Sequence, residues 1–468
     1  MMTHVTTSLN IHCTDSDTDK LSVPTNADHN DNTVAGWKWC VFTRSPTANQ
    51  QPFVVCFAGT TPHTLLMSLT DFLIESREKE LLALSCSRSM VCGEHFKVRK
   101  AFVSTTTRHL LQQMKQMFLQ MQQVPRGISS PIPVVFVFSG TGSAWLGMCK
   151  HLIENNHTFK AVIGDIDSSL RRYVPWSLTK RLAGSYDVED MIFGPVSIFA
   201  CQVALTRLWQ ELGVQPAAVI GLSLGEVAAA HIAGILPLDE AVRVVFHRAK
   251  ILSNAKEGKV ILVRNLETAK VEAVCSNYKG QLNIGMFYSP VACSVTGDRK
   301  AVDALVNEII SVHKPEIKVT DLNCCRAYHS HHVEAGQHQL VQELNHLRTE
   351  DPSVKMISTV SPEYTTHDIS LTKYWGQSIR QPVQFCEGIR TAGSHKNTIF
   401  LEIGPKTVLR AHVRDIFFDR SSAPLCLPSL SYPRTNNDLL QSAAVLYEHN
   451  LHIKWDALMT DRTREGSG

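Results

Sequence analysis

The sequence has little that would mark it for nucleic acid, for a membrane or for an oxidising compartment. Only 19% of its 468 residues are charged, and the net charge is +3. That balance excludes a dedicated nucleic-acid binder and leaves only weak attraction to an acidic partner. No C-x-x-C pair occurs among the thirteen cysteines, so free thiols in a reducing compartment are expected. The opening MMTHVTTSLN shows no basic–apolar leader pattern, and a cytoplasmic location is expected. One long apolar run, 215–237, is interrupted by Glu226, His231 and Gly-Ser turn signals. It reads as a buried strand followed by a buried helix, not as a membrane span. No internal repeat is present.

The apolar fraction, by contrast, is large at 44%, enough for more than one domain. Residues 1–33 are Thr-, Ser-, Asp-, Asn- and His-rich without periodic apolarity, and are expected to be disordered. From 34 to 130 the patterns WKWCVFT, PFVVCFA and HFKVRKAFVST read as strands and TTTRHLLQQMKQMFLQMQQV as an amphipathic helix. Residues 131–256 follow, in which PIPVVFVFSGTGSAW is a buried parallel strand ending in a Gly-rich loop. Helices are expected at 195–212 and in GEVAAAHIAGIL and LDEAVRVVFHRAKILSNA. Over 257–319 the period shifts to a βαββαβ order, ferredoxin-like in layout. Residues 320–415 return to the first pattern with the buried strand NTIFLEIGP, and 416–468 read as a proline-bearing connector plus one helix.

The chemistry centres on GLSLG, 221–225. A Gly-x-Ser-x-Gly between a strand and a helix sets the serine on a tight turn, with the helix amides aimed at a developing oxyanion. Ser223 is therefore a candidate nucleophile.

Several further blocks, in order, resemble the acyltransferase domain of polyketide synthases and animal-type fatty acid synthases. FVFSGTGSAWLGM is similar to that family's oxyanion loop, and GLSLGEVAAAHIAG to its nucleophile elbow. VVFHRAKIL places an arginine at the family's spacing after the serine, and RAYHSHHVE is similar to its His-Ala-Phe-His-Ser block. YWGQSIRQPVQF and LEIGP match two later signatures. The resemblance covers about 131–415. Residues 34–130 resemble the ketosynthase-to-acyltransferase linker, and 427–455 the linker that follows the acyltransferase.

The resemblance implies an α/β-hydrolase-like large subdomain with a ferredoxin-like small subdomain inserted. It implies a Ser223–His329 dyad, with the histidine oriented by a backbone carbonyl near Ser378. The amides of Thr141 and Leu224 are implied as oxyanion donors. Arg248 is implied to hold the carboxylate of a malonyl-type acyl group by paired hydrogen bonds; without that spacing it reads as cover for a helix face. Tyr328, before the base, is a bulky aromatic where the family's malonyl enzymes carry Phe, and one methyl is worth only about 1–3 kcal/mol of discrimination. Three positions depart from the family: Leu222 replaces histidine, and Thr141 and Ala144 replace glutamines. Leu222, Ala144 and Tyr328 are expected at the acyl pocket.

HSHH, 329–332, is also open to reading as a solvated loop or a metal cluster. No carboxylate or cysteine is spaced to complete a site, and no metal is expected. The implied reaction moves malonyl or a related acyl group from coenzyme A through a seryl ester to the phosphopantetheine of an acyl carrier protein. No tightly bound cofactor is needed, and a ketosynthase is a further candidate partner. The alternatives are a degenerate docking or scaffold domain and a plain Gly-x-Ser-x-Gly hydrolase.

Overall fold

The computed structural model describes residues 37–43, 52–72, 98–119 and 132–457, apart from 62, 70–71, 188, 313–315, 361–368, 396, 422, 433–437 and 456. The disorder expected for residues 1–33 lies outside the described residues.

Apolar strands that cannot face water meet in the middle of the chain's largest sheet. Val134–Phe138 (VVFVF) is buried along its whole length, as a parallel strand covered on both faces must be. Numbered along the chain, with Trp37–Thr43 as β1, Phe53–Gly59 as β2 and Val98–Ser104 as β3, it is β4. Ala218–Gly221 (β5), Ile399–Ile403 (β11), Lys355–Ile357 (β10) and Cys426–Pro428 (β12) join it in the order β10-β5-β4-β11-β12, all parallel. Alternation divides the side chains: Phe136, Phe138 and Val219 enter one core cluster, Val135, Val137 and Ile220 the other. The helix Phe193–Glu211 is buried on nearly every side in the first cluster.

The two edge strands have only three residues each, too few to show a period. The connector expected after 416 is thus partly sheet. Its Pro428 pairs with Glu402 at the outer edge, where a missing amide is tolerated.

The insert forms a separate four-stranded antiparallel sheet of Lys259–Arg264 (β6), Leu282–Ser289 (β7), Ala292–Gly297 (β8) and Lys318–Asp321 (β9). Its order is β7-β8-β6-β9, with helices Thr268–Ser276 and Arg299–Val312 in the two crossovers. This is the ferredoxin-like βαββαβ arrangement, with its own apolar cluster around Val263, Ile284, Val295 and Leu305.

The third sheet, β1-β2-β3, is antiparallel. Val54, Cys56 and Val103 face the main core, whereas Val55, Phe57 and Phe102 form a satellite cluster with Leu110 and Met114 of the helix Thr107–Leu119. The C-terminal helix Asp438–Glu448 clasps it. Glu448 accepts from the amide of Ala101 at 3.2 Å and pairs with Lys100 at 2.9 Å. Arg99 reaches the carbonyl of Leu451 at 3.2 Å.

Candidate active site

The elbow is built by close backbone packing. A Cβ on Gly221 would stand 2.2 Å from the nitrogen of Glu226, and one on Gly225 2.3 Å from the carbonyl oxygen of Phe138. Only hydrogen fits at either position, so the helix Gly225–Ile232 turns directly over the end of β5 and against β4. Ser223 sits between them with φ at +53°, a strained value for a side-chain-bearing residue.

Opposite it, Oγ of Ser223 lies 2.8 Å from Nε2 of His329. The histidine is itself in the left-handed region, φ +55°. Its amide donates to the carbonyl of Ile379 at 3.1 Å and its Nδ1 lies 2.9 Å from the carbonyl of Gln381. Nδ1 therefore carries the proton, and Nε2 presents its lone pair to the serine. The orienting carbonyl belongs to Gln381, which corrects the position near Ser378. Ser378 lies inside the helix Thr372–Arg380, and its hydroxyl donates to the carbonyl of Trp375 at 2.8 Å. Gln381 caps that helix in an extended conformation, so its carbonyl is free to turn away from the helix axis.

Arg248 completes the group. It projects from the helix Leu238–Ser253, is 2% exposed, and its Nη2 donates to Ser223 Oγ at 2.8 Å. Its Nε is buried without a hydrogen-bond partner, which argues against the helix-cover reading: a guanidinium covering a surface keeps its donors in water. The hydroxyl accepts from Arg248 and donates to His329, so Ser223 uses both roles of its hydroxyl within the group. Burial lowers the His329 pKa to about 3, with the nearby guanidinium adding to the shift and the Gln381 carbonyl opposing it. Burial also lowers Arg248, to about 10, with Tyr328 and Glu226 opposing. The imidazole is therefore neutral, the protonation state a base requires.

Glu226, three residues past the serine, supplies the buried negative charge that faces Arg248. Burial raises it to about 6, while donors from Thr359 and Tyr374 hold it down. The Thr359 amide and hydroxyl donate to Oε1 at 2.6 and 3.0 Å, and the Tyr374 hydroxyl at 2.8 Å. A carboxylate inside an apolar run is the signal that could have marked it as a support for the site.

The loop after β4 is held from three sides. Gln202 donates to the Ser139 carbonyl at 2.7 Å, Trp145 to the Pro405 carbonyl at 2.7 Å, and Tyr186 to the Trp145 carbonyl at 2.8 Å. Gln202 gives no sign of this role in sequence, because it lies in the middle of an apolar helix. Thr141 is exposed on this loop and Leu224 is buried as the residue before the elbow helix. Ala144 is half-buried against the main core. Tyr328 is also half-buried, and its hydroxyl meets Met191 Sδ at 3.8 Å. Leu222 is buried in the second core cluster with Val137, Ile220, Val383 and Phe385. An apolar side chain there has apolar neighbours, so exchanging histidine for leucine strands no polar group.

No helix among the described residues is long and apolar enough to cross a membrane. Residues 135–445 match the family model described as acyl transferase domain. The chain is 31% identical over 337 residues to the polyketide synthase GfsB of Streptomyces halstedii, covering 71% of this chain and 6% of that protein. It is 27% identical to the hybrid synthetase acdB of Aspergillus candidus, covering 77% of this chain and 15% of that one. The chain thus spans a small part of the curated relatives it matches. Among solved structures, the acyltransferase domain from module 8 of the salinomycin polyketide synthase superposes with a TM-score of 0.74 at 24% identity, covering 90% of this chain and 99% of that one. The MCAT of Streptococcus pneumoniae superposes at 0.59 and 23% identity, covering 67% of this chain and 99% of that one. With this fold, and a match over well over half its length, the chain belongs to the acyl transferase domain family.

Proposed function

We propose that the domain transfers a malonyl-type acyl group from coenzyme A to Ser223, and from there to the phosphopantetheine thiol of an acyl carrier protein. The observation that carries this reading is Arg248. A guanidinium buried beside the nucleophile, with Nε unpartnered, is a receptor for a carboxylate on the acyl group. An ordinary esterase has no use for it.

Ser223 Oγ attacks the thioester carbonyl as His329 Nε2 takes its proton. The amides of Thr141 and Leu224 stabilise the resulting oxyanion. The C–S bond then breaks and the departing thiolate takes the proton from His329. In the second half, the carrier thiol gives its proton to His329 and attacks the ester. The C–O bond breaks and the serine regains its proton. The chemistry needs no tightly bound cofactor. The Tyr328 side chain, its hydroxyl held at Met191 Sδ, limits room for an α-branch, which favours malonyl over methylmalonyl by a modest margin. Our reading includes a cytoplasmic reaction, with a ketosynthase as a further partner of the charged carrier.

Incubation with radiolabelled malonyl-CoA should leave one acyl group on the protein and none on Ser223→Ala; equal labelling of the variant refutes the assignment. An excess of free malonate over carrier-bound malonyl would favour a hydrolase instead.

A further inference from the structure

The fold does what sequence spacing did not: it brings a carboxylate to the histidine pair that follows the base. Among the described residues, Asp298, His331 and His332 form a group whose ligand atoms all lie within 4.8 Å of one another. Asp298 follows β8 of the ferredoxin-like insert, 33 residues before His331. The two histidines lie in the turn just after His329.

Their hydrogen bonding favours a cation. His332 Nδ1 faces the carbonyl of Lys256 at 3.3 Å, and its Nε2 lies 2.6 Å from Asp298 Oδ1. His331 Nδ1 faces Asn283 Oδ1 at 3.3 Å, and its Nε2 lies 3.4 Å from the same Asp298 oxygen. The His331 amide also donates to Asn283 Oδ1, which fixes that atom as the oxygen. Each ring therefore faces an oxygen acceptor on both sides, and a neutral imidazole carries one N–H. With both protons on Nδ1, two lone pairs and a carboxylate oxygen converge on one point. An imidazole held through Nδ1 by a carbonyl oxygen, with Nε2 free, is the usual arrangement of a metal-binding histidine. Tetrahedral bonds of about 2.0–2.1 Å set ligand atoms roughly 3.3 Å apart. The 3.4 Å contact already has that spacing; the 2.6 Å contact must open, and Asp298, with a side chain 37% exposed, has room to move.

We propose that Asp298, His331 and His332 bind one divalent first-row transition ion, zinc foremost, with water at the open position. Two imidazoles and one carboxylate suit that class of metal. The ion would fasten the ferredoxin-like insert to the turn that carries the catalytic histidine. The site is independent of which acyl group the domain transfers.

The test uses the full chain stripped by chelator, with Zn²⁺ as the titrant in calorimetry and Co²⁺ as a visible-absorption probe. The native protein should bind one equivalent and melt at a higher temperature with zinc. His331→Ala and Asp298→Asn should each lose about tenfold or more in affinity, together with the zinc-dependent rise in melting temperature. His331 is a third exposed, so its alanine variant should fold, and circular dichroism without metal checks this. Native protein that takes up no zinc, or variants that bind as tightly, overturns the proposal. The first result leaves protons as the cation between these rings and the carboxylate; the second places the zinc on other side chains.

Discussion

The turn that carries Ser223 and the turn that carries His329 hold their residues in the same left-handed backbone region, +53° and +55°. They are built differently. The serine turn is local: two glycines within five residues allow a strand, a turn and a helix to close on one another. The histidine turn has no glycine. It is held by the Ser330 hydroxyl donating to the Ala327 carbonyl at 2.6 Å, and by the carbonyls of Ile379 and Gln381, some fifty residues on. Strain at a catalytic residue persists only where its surroundings over-determine it. One turn meets that condition by steric exclusion of a Cβ, the other by distant hydrogen bonds. The first should therefore fail all at once and the second by degrees.

The largest effect should come from His329→Ala. Loss of the base is expected to slow acylation of Ser223 by about 10²–10⁴-fold, read by single-turnover labelling, with the melting temperature little changed. Gly225→Ala should instead damage the fold. Its new methyl meets the Phe138 backbone, which cannot rotate away, so a loss of about 3 kcal/mol is expected in a denaturant melt. A variant as stable as the native protein would show that the serine turn has more freedom than its packing implies.

Arg248→Ala separates substrate recognition from turn geometry. Malonyl transfer should fall by about 10²-fold or more while acetyl transfer survives; equal loss of both would make the arginine structural. The variant should also change the pH profile. The base is active when neutral, and its pKa of about 3 places the acid limb of kcat/KM far below neutrality. Removing the guanidinium removes one of the two influences lowering that pKa, so the limb should move up in pH. Burial, the larger influence, remains, and the limb should stop short of the ordinary histidine value.

The weakest response is expected where the histidine turn loses its local bonds and keeps its distant ones. Ser330→Ala removes the bond to Ala327 and the cap on the His332 amide, 3.1 Å long. It should cost about 1 kcal/mol in a melt and reduce the acylation rate modestly, because Ile379 and Gln381 still hold the imidazole. A collapse of activity as deep as that of His329→Ala would mean that this one hydroxyl, and not the set, fixes the base.

Features encoded within a few residues can be read directly from the order of amino acids. The apolar runs of β4, β5 and β11, the shift of period across the insert and the glycines of the elbow are all local patterns. From these the α/β class, the ferredoxin-like insert and Ser223 were legible. His329 and Arg248 were legible because of the blocks around them, since nothing in their own spacing distinguishes them from other histidines and arginines. Four contacts emerge only once the chain is folded: the carbonyl of Gln381 meets Nδ1 of His329, Leu222 enters an apolar cluster, Gln202 braces the loop after β4 and Asp298 reaches the histidine pair. It also added edge strands too short to show alternation. The physical reason is the same in each case. A turn or a period depends on neighbours along the chain, whereas a buried hydrogen bond depends on where two distant segments meet, and that is set by the packing of the whole core.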